Sequence, residues 1–302
     1  MLERNQLTAR QVAEIIHEQF PGLPVSSVGY LGEGCDSVAF EVNSEFVFRF
    51  PKQDEVEQQL LLELRILPLL TEHSPIPLPA FCFHGRPSVD FPRHFGGYPK
   101  LLGLPAIQLR PETTPFGNWA PILARFLSWL HGFPVRTAEQ MGVPRREVMS
   151  LIEEVRADAI EDFGRLAKVA PDAPLEEWLV YLKGGLPSSA RVHSEPVVVH
   201  RDLASEHILC DPPTAALTGI IDWSEISISD RLVDLAGFFH WGGARFVYDM
   251  LSHYPGTIND GALSCARYMA VCRGVADVAF GLENARQEYI EAGIRALWIC
   301  VP

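Results

Sequence analysis

Hydrophobic positions change their period roughly a third of the way along the chain. Over residues 8–20, Val12, Ile15, Ile16 and Phe20 fall on one helical face, which predicts a short amphipathic helix. Residues 25–30 read as a strand. In the stretch LGEGCDSVAFEVNSEFVFRFPK that follows, two β-rich runs, 37–42 and 46–50, are split by Asn43-Ser44-Glu45, the composition of a hairpin turn. From residue 55 to 70 the period becomes helical through Leu60, Leu61, Leu64, Leu67 and Leu70, with Pro68 disturbing only the last turn. After a proline-rich segment come two short apolar runs, 80–84 and 98–109. The first ~110 residues therefore predict a mostly antiparallel sheet carrying one main helix.

Beyond that point helices dominate. Leu123, Phe126, Leu127 and Leu130 repeat at i, i+3, i+4, i+7, and Gly132 and Pro134 stop the helix. Val148, Leu151, Ile152, Val155 and Leu166 carry a second helical stretch over 146–169. Two β-type segments, 197–200 and 217–221, interrupt the helices before a helical tail. The fold class read from this order is α+β and bilobal: a small antiparallel β lobe over 1–109 and a larger, mainly α lobe over 110–302.

The 302 residues suffice for two such bodies, and 47% hydrophobic with 21% charged residues is the composition of a soluble globule. No apolar stretch approaches the ~18–20 residues of a bilayer span, and MLERNQLTAR lacks the pattern of an export signal. Six cysteines, Cys35, Cys82, Cys210, Cys265, Cys272 and Cys300, form no C-x-x-C pair and read as reduced thiols of a cytoplasmic protein. A net charge of −13 opposes nucleic-acid binding. The same charge suits a cationic small molecule, or simply solubility. The expected protein is a monomer without a membrane or nucleic-acid partner.

The chemistry concentrates in VVVHRDLASEHILCD, residues 197–211. An apolar strand delivers His200-Arg201-Asp202, and His207 follows five positions after Asp202. Protein kinases place H-R-D-L-x-x-x-N here, with the aspartate facing the acceptor hydroxyl and the later residue facing the nucleotide's metal. A chance His-x-Asp at a strand end is the plain alternative. A second element, TGIIDWSE at 218–225, ends a strand in Asp222, as the D-F-G aspartate does. A short turn over 211–216 would pair the two strands and bring Asp202, His207 and Asp222 together.

These residues resemble the aminoglycoside phosphotransferase family, which includes antibiotic kinases and choline-kinase-like enzymes. Its loop reads His-Gly-Asp-x-x-x-x-Asn, followed by Ile-Asp-Trp or Ile-Asp-Phe. Here Arg201 stands for the glycine and His207 for the asparagine. Such a histidine is similar to the one in 2''-aminoglycoside and macrolide phosphotransferases, and the hairpin around Gly32 looks like that of the 2''-enzymes. The resemblance spans residues 25–240 and implies a protein-kinase-like fold, Mg²⁺, and ATP or GTP as phosphate donor. It implies Asp202 as catalytic base and His207 and Asp222 as metal ligands. Gly32, Gly34 and Ser37 would cover the nucleotide, and Arg49 or Lys52 would reach its phosphates, with Glu63 as the partner carboxylate. Strand alternation sets Arg49 opposite Phe46, Phe48 and Phe50 and so frees it from the core face, although a solvated surface charge reads the same way.

The implied acceptor is a hydroxyl of an aminoglycoside, with amines bound by carboxylates of the helical tail. The run Asp222-Trp223-Ser224-Glu225 keeps a macrolide in play. Asp234 is expected to hold the catalytic loop by hydrogen bonds, His131 to be a core or capping histidine, and Trp223 and Trp241 to be packing residues. A pseudokinase is disfavoured by the intact Asp202 and Asp222. A protein kinase is disfavoured because no A-P-E follows Asp222.

Overall fold

The computed structural model describes residues 7–33, 37–109, 118–186 and 195–302. Two compact units emerge, Met1–Leu102 and Gly103–Pro302.

In the first unit, helix α1 (Ala9–Gln19) opens on a capping box in which Thr8 and Gln11 satisfy each other's backbone donors. The sheet contains β1 (Val28–Glu33), β2 (Ser37–Val42), β3 (Phe46–Pro51), β4 (Phe83–Gly85) and β5 (Phe95–Pro99), in the order β1-β2-β3-β5-β4. All its pairings are antiparallel. The β2–β3 turn sets Asn43 and Ser44 at positive φ, and the Asn43 carboxamide ties the turn to Pro24 and Ser26. Val12, Ile15 and Ile16 of α1 pack with Phe40, Phe48, Phe50 and Phe95 of the sheet into one core. Helix α2 (Asp54–Thr71) runs three residues past Pro68, consistent with a proline that costs only the last turn.

One strand differs from its expected position. Instead of a run over 98–109, β5 spans Phe95–Pro99 and contains Gly96 and Gly97. A Cβ on Gly96 would lie 2.6 Å from the Phe81 ring, and one on Gly97 would lie 2.6 Å from the Phe48 ring. Aromatic packing thus requires the two residues whose weak strand preference concealed the strand. The following residues, Leu104–Pro105, form β6, which belongs to the second unit.

In the second unit, β6 joins β8 (Ile208–Cys210) and β9 (Leu217–Ile220) in the order β6-β8-β9, and β7 (Val197–Val199) pairs with β10 (Ser227–Ser229). The helices are α3 (Ala120–His131), α4 (Val135–Met141), α5 (Val148–Asp162), α6 (Leu175–Gly184), α7 (Leu232–His253), α8 (Asp260–Asn284) and α9 (Gln287–Cys300). Trp223 and Trp241 are buried packing residues, and Phe126, Phe238 and Phe239 fill the core beside them. Helices α8 and α9 approach closely: a Cβ on Gly274 would sit 3.0 Å from the Gly293 carbonyl oxygen. Among the described residues no helix is long and apolar enough to cross a membrane.

Candidate active site

Strand β7 ends at Val199, and the chain then turns sharply. Arg201 takes φ 72°, a conformation that costs an L-residue roughly 1–2 kcal/mol. Two anchors hold that turn. Asp234, fully buried in the first turn of α7, accepts the backbone N–H groups of His200 (3.2 Å) and Arg201 (2.9 Å). Its Oδ2 also receives His131 Nε2 at 3.1 Å, and the Tyr254 hydroxyl lies 2.9 Å from His131 Nδ1. One turn on, Gly237 lets α7 press against the loop, because a Cβ there would overlap the Leu203 carbonyl oxygen. The Arg201 side chain pairs with Glu225.

His200 links the two halves of the site. Its Nε2 donates to the Ile221 carbonyl (3.1 Å), and its Nδ1 accepts the Asp202 backbone N–H (3.3 Å). Complete burial pushes its pKa down despite nearby carboxylates, which suits a ring used for hydrogen bonds and not for charge. Ile221 in turn precedes Asp222, which β9 delivers opposite β8. Asp222 sits at φ 61°, a left-handed conformation that aspartate tolerates, and its Oδ1 accepts the Ser224 hydroxyl at 3.0 Å.

His207 stands between the two aspartates. Nδ1 donates to the Asp202 carbonyl at 2.8 Å and lies 3.4 Å from Asp202 Oδ2, while Nε2 lies 3.6 Å from Asp222 Oδ2. Burial would lower its pKa, but Asp202, Asp222 and Glu206 together raise it. The three residues singled out from the motif spacing thus meet at one point.

Two further residues complete this cluster and carry no local sequence signal. Arg273, on α8, pairs through Nη1 with Asp202 Oδ1 and through Nη2 with Glu206 Oε1. Burial alone would raise the carboxyl pKa values of Asp202 and Glu206, but the guanidinium, with His207 behind it, draws both below the ordinary range. Asp202 is thereby kept ionised, with Oδ1 engaged and Oδ2 facing His207. Only the 71-residue separation hides Arg273 from motif reading.

In the first unit, Arg49 forks onto Glu63, with Nη1 at 3.0 Å and 2.7 Å from the two carboxylate oxygens. Glu63 is fully buried on α2, where an unpaired ion would be costly. Lys52 pairs with Glu33 at 2.5 Å. Gly32 lies in β1 beside a register shift, with open space where a Cβ would stand. Ser37 begins β2. Gly34 lies outside the described residues.

Among the described residues no three His, Cys, Asp or Glu side chains are arranged to hold a metal ion. Magnesium is commonly held by one or two carboxylates and fills its octahedron with phosphate oxygens and water. Asp222 Oδ2 is a suitable oxygen donor. His207 Nε2, a nitrogen, is the weaker one.

A His-x-Asp turn after one strand, a second aspartate ending the next, and an antiparallel sheet unit followed by a helical one are the features of a kinase-like phosphotransferase. The chain belongs to the phosphotransferase enzyme family, which it matches over residues 28–264. The GDP and kanamycin complex of APH(2'')-IIIa is 27% identical, with a TM-score of 0.74, covering 95% of this chain and 97% of that one. The GDP complex of aminoglycoside 2'-phosphotransferase-IIIa is 26% identical, with a TM-score of 0.75 over 97% and 98% of the two chains. Macrolide 2'-phosphotransferase type I shares the fold at 24% identity and a TM-score of 0.63, over 95% and 96%.

Proposed function

We propose that this phosphotransferase moves the γ-phosphate of a nucleoside triphosphate onto a hydroxyl of an aminoglycoside. The observation that carries the reading is the convergence of Asp202, His207 and Asp222 at 3.4 and 3.6 Å. The acceptor class is supported by the 27% likeness to an enzyme solved with GDP and kanamycin. The DWSE run, which pointed toward macrolides, has a local explanation: Trp223 is core and Glu225 pairs with Arg201.

Nucleotide binding is assigned to Met1–Leu102 and catalysis with acceptor binding to Gly103–Pro302. In the first unit Gly32 and Ser37 would cover the phosphates, and Arg49, fixed by Glu63, is preferred over Lys52 as the phosphate contact. Phosphoryl transfer leaves the protein little covalent work, so positioning and charge decide the rate. Asp202 Oδ2 accepts the hydrogen bond of the acceptor hydroxyl and takes its proton as the hydroxyl oxygen bonds to the γ-phosphorus, while the bond to the β–γ bridging oxygen breaks and the nucleoside diphosphate leaves. Asp222, with His207 beside it, would hold Mg²⁺, which supplies charge neutralisation at the phosphates. ATP or GTP serves as donor, the protein works as a monomer in the cytoplasm, and nucleic acid plays no part.

A coupled assay of nucleotide consumption, run with ATP and with GTP against aminoglycosides, macrolides and choline, tests this. Turnover with aminoglycosides is expected. Turnover with macrolides alone would overturn the acceptor, and nucleotide consumption that no hydroxyl compound stimulates would overturn the transfer itself.

A further inference from the structure

The first half of α7 reaches the catalytic loop from three positions. Asp234 takes the backbone N–H groups of His200 and Arg201, and Gly237 abuts the Leu203 carbonyl oxygen. The third connection runs through side chains. His240, completely buried, places Nε2 3.0 Å from Asp277 Oδ2 on α8. Asp277 Oδ1 lies 4.0 Å from Nε of Arg273, one helical turn back, and the Arg273 guanidinium ends on Asp202 Oδ1 and Glu206 Oε1. The helical path of α7 is interrupted at Gly243 (φ 66°), beyond all three residues, so Asp234, Gly237 and His240 ride on one segment.

A guanidinium held only at Nη1 and Nη2, by one contact to each of two carboxylates, can pivot about the line that joins them. A charge at the Nε edge supplies the third point that fixes its plane. Asp277 is that charge, and because it is buried, its attraction for the arginine is little screened. A buried carboxylate in turn needs a partner of its own, and His240 stands at its far oxygen.

We propose that His240 and Asp277 are positioning residues for phosphoryl transfer: they fix the plane of the Arg273 guanidinium, which orients the carboxylate of Asp202. Asp234 thereby sets where the loop runs, and His240 sets where its base points. The inference rests on the role proposed above for Asp202 and extends it into α7 and α8.

The test is a double-mutant cycle on the single-turnover rate of transfer to kanamycin, with His240→Phe, Asp277→Asn and both together. Each single variant should slow transfer roughly tenfold, less than the ~10²-fold that an ångström of misplacement can cost, with nucleotide KM within about twofold of wild type. The double variant should be no slower than the slower single one, because both break the same chain of contacts. His240→Gln, which keeps an N–H donor, should recover most of the rate. Losses that multiply in the double variant, or singles as fast as wild type, would overturn the proposal. If His240→Phe fails to fold, the isosteric Asp277→Asn decides by this readout and the next.

A second measurement is independent of turnover. The ¹⁵N order parameter of Arg273 Nε–Hε, assigned by its loss in Arg273→Lys, should be near the rigid value of about 0.85 in wild type and fall below about 0.6 in both folded variants. A mobile Nε in wild type, or an unchanged order parameter in the variants, overturns the buttress. Lost packing alone would lower the urea midpoint and leave this order parameter as it was. If Asp202→Asn keeps its rate, the base reading fails, while the mobility of Arg273 still decides the role of His240 and Asp277.

Discussion

Replacing Asp234 should separate the scaffold of the catalytic loop from the loop itself. In Asp234→Ala, three donors lose their acceptor: the backbone N–H groups of His200 and Arg201 and the ring of His131. A buried donor left unsatisfied costs about 1–3 kcal/mol, so three taken in the lower half of that range total about 4 kcal/mol. The turn at Arg201, with its φ of 72°, also loses its clasp. All six tryptophans lie in the second unit, so tryptophan fluorescence reads its unfolding without interference from the first. With a urea m-value of about 2–3 kcal/mol per molar, the midpoint should fall by roughly 1.3–2 M. Asp234→Asn keeps one acceptor oxygen and should fall about half as far. In folded Asp234→Asn, kcat should drop by roughly 10²-fold, the cost of misplacing a catalytic group by about an ångström. A midpoint for Asp234→Ala within about 0.5 M of wild type would refute the hydrogen-bond reasoning. A lowered midpoint with unchanged kcat would refute the link from clasp to base.

Four further outcomes are expected. Asp202→Asn should lower kcat by roughly 10²–10⁴-fold with nucleotide affinity preserved, as measured by steady-state turnover and calorimetric nucleotide titration. His207→Asn should retain more Mg²⁺-dependent activity than His207→Ala, because asparagine offers the oxygen that magnesium prefers; equal activity of wild type and His207→Ala across a magnesium series would make the histidine structural. Arg201→Gly should leave the thermal midpoint unchanged or slightly raised, since relief of about 1–2 kcal/mol at positive φ is set against the lost Glu225 pair and a more flexible unfolded chain. The lowered carboxyl pKa values of Asp202 and Glu206 add stability above the unfolded value of about 4, and that stability is lost as pH falls through the folded values. Acid unfolding followed by tryptophan fluorescence should therefore begin at a higher pH in Arg273→Gln than in wild type.

What the sequence disclosed follows from the range of the interactions involved. Asp202, His207 and Asp222 were legible because strand-turn-strand geometry fixes their spacing within 21 residues of chain. Glu63 was legible because a carboxylate set among leucines on a helix demands a cation, and Arg49 provides it. The clasp of Asp234 was anticipated as a role, but its reach to His131 and Tyr254 was not, since those contacts join helices far apart in sequence. Arg273 and Glu206 stayed hidden for the same reason: an arginine on an amphipathic helix has no pattern that separates a surface charge from one seated on Asp202. Strand β5 stayed hidden because its glycines answer to the rings of Phe81 and Phe48, which periodicity does not record.

Gly274 follows Arg273 directly and faces the other way, toward Gly293, Ala296 and Leu297 of α9. The backbone that carries the arginine is therefore set by the C-terminal helix. Substitutions at Ala296 and Leu297 thus become a second route to altered turnover. They would shift α8, and with it the guanidinium that pairs with Asp202, while Asp202, His207 and Asp222 themselves stay the same. Such variants would show changed turnover with no change in the His-x-Asp motif, and a survey confined to residues 197–225 would miss them.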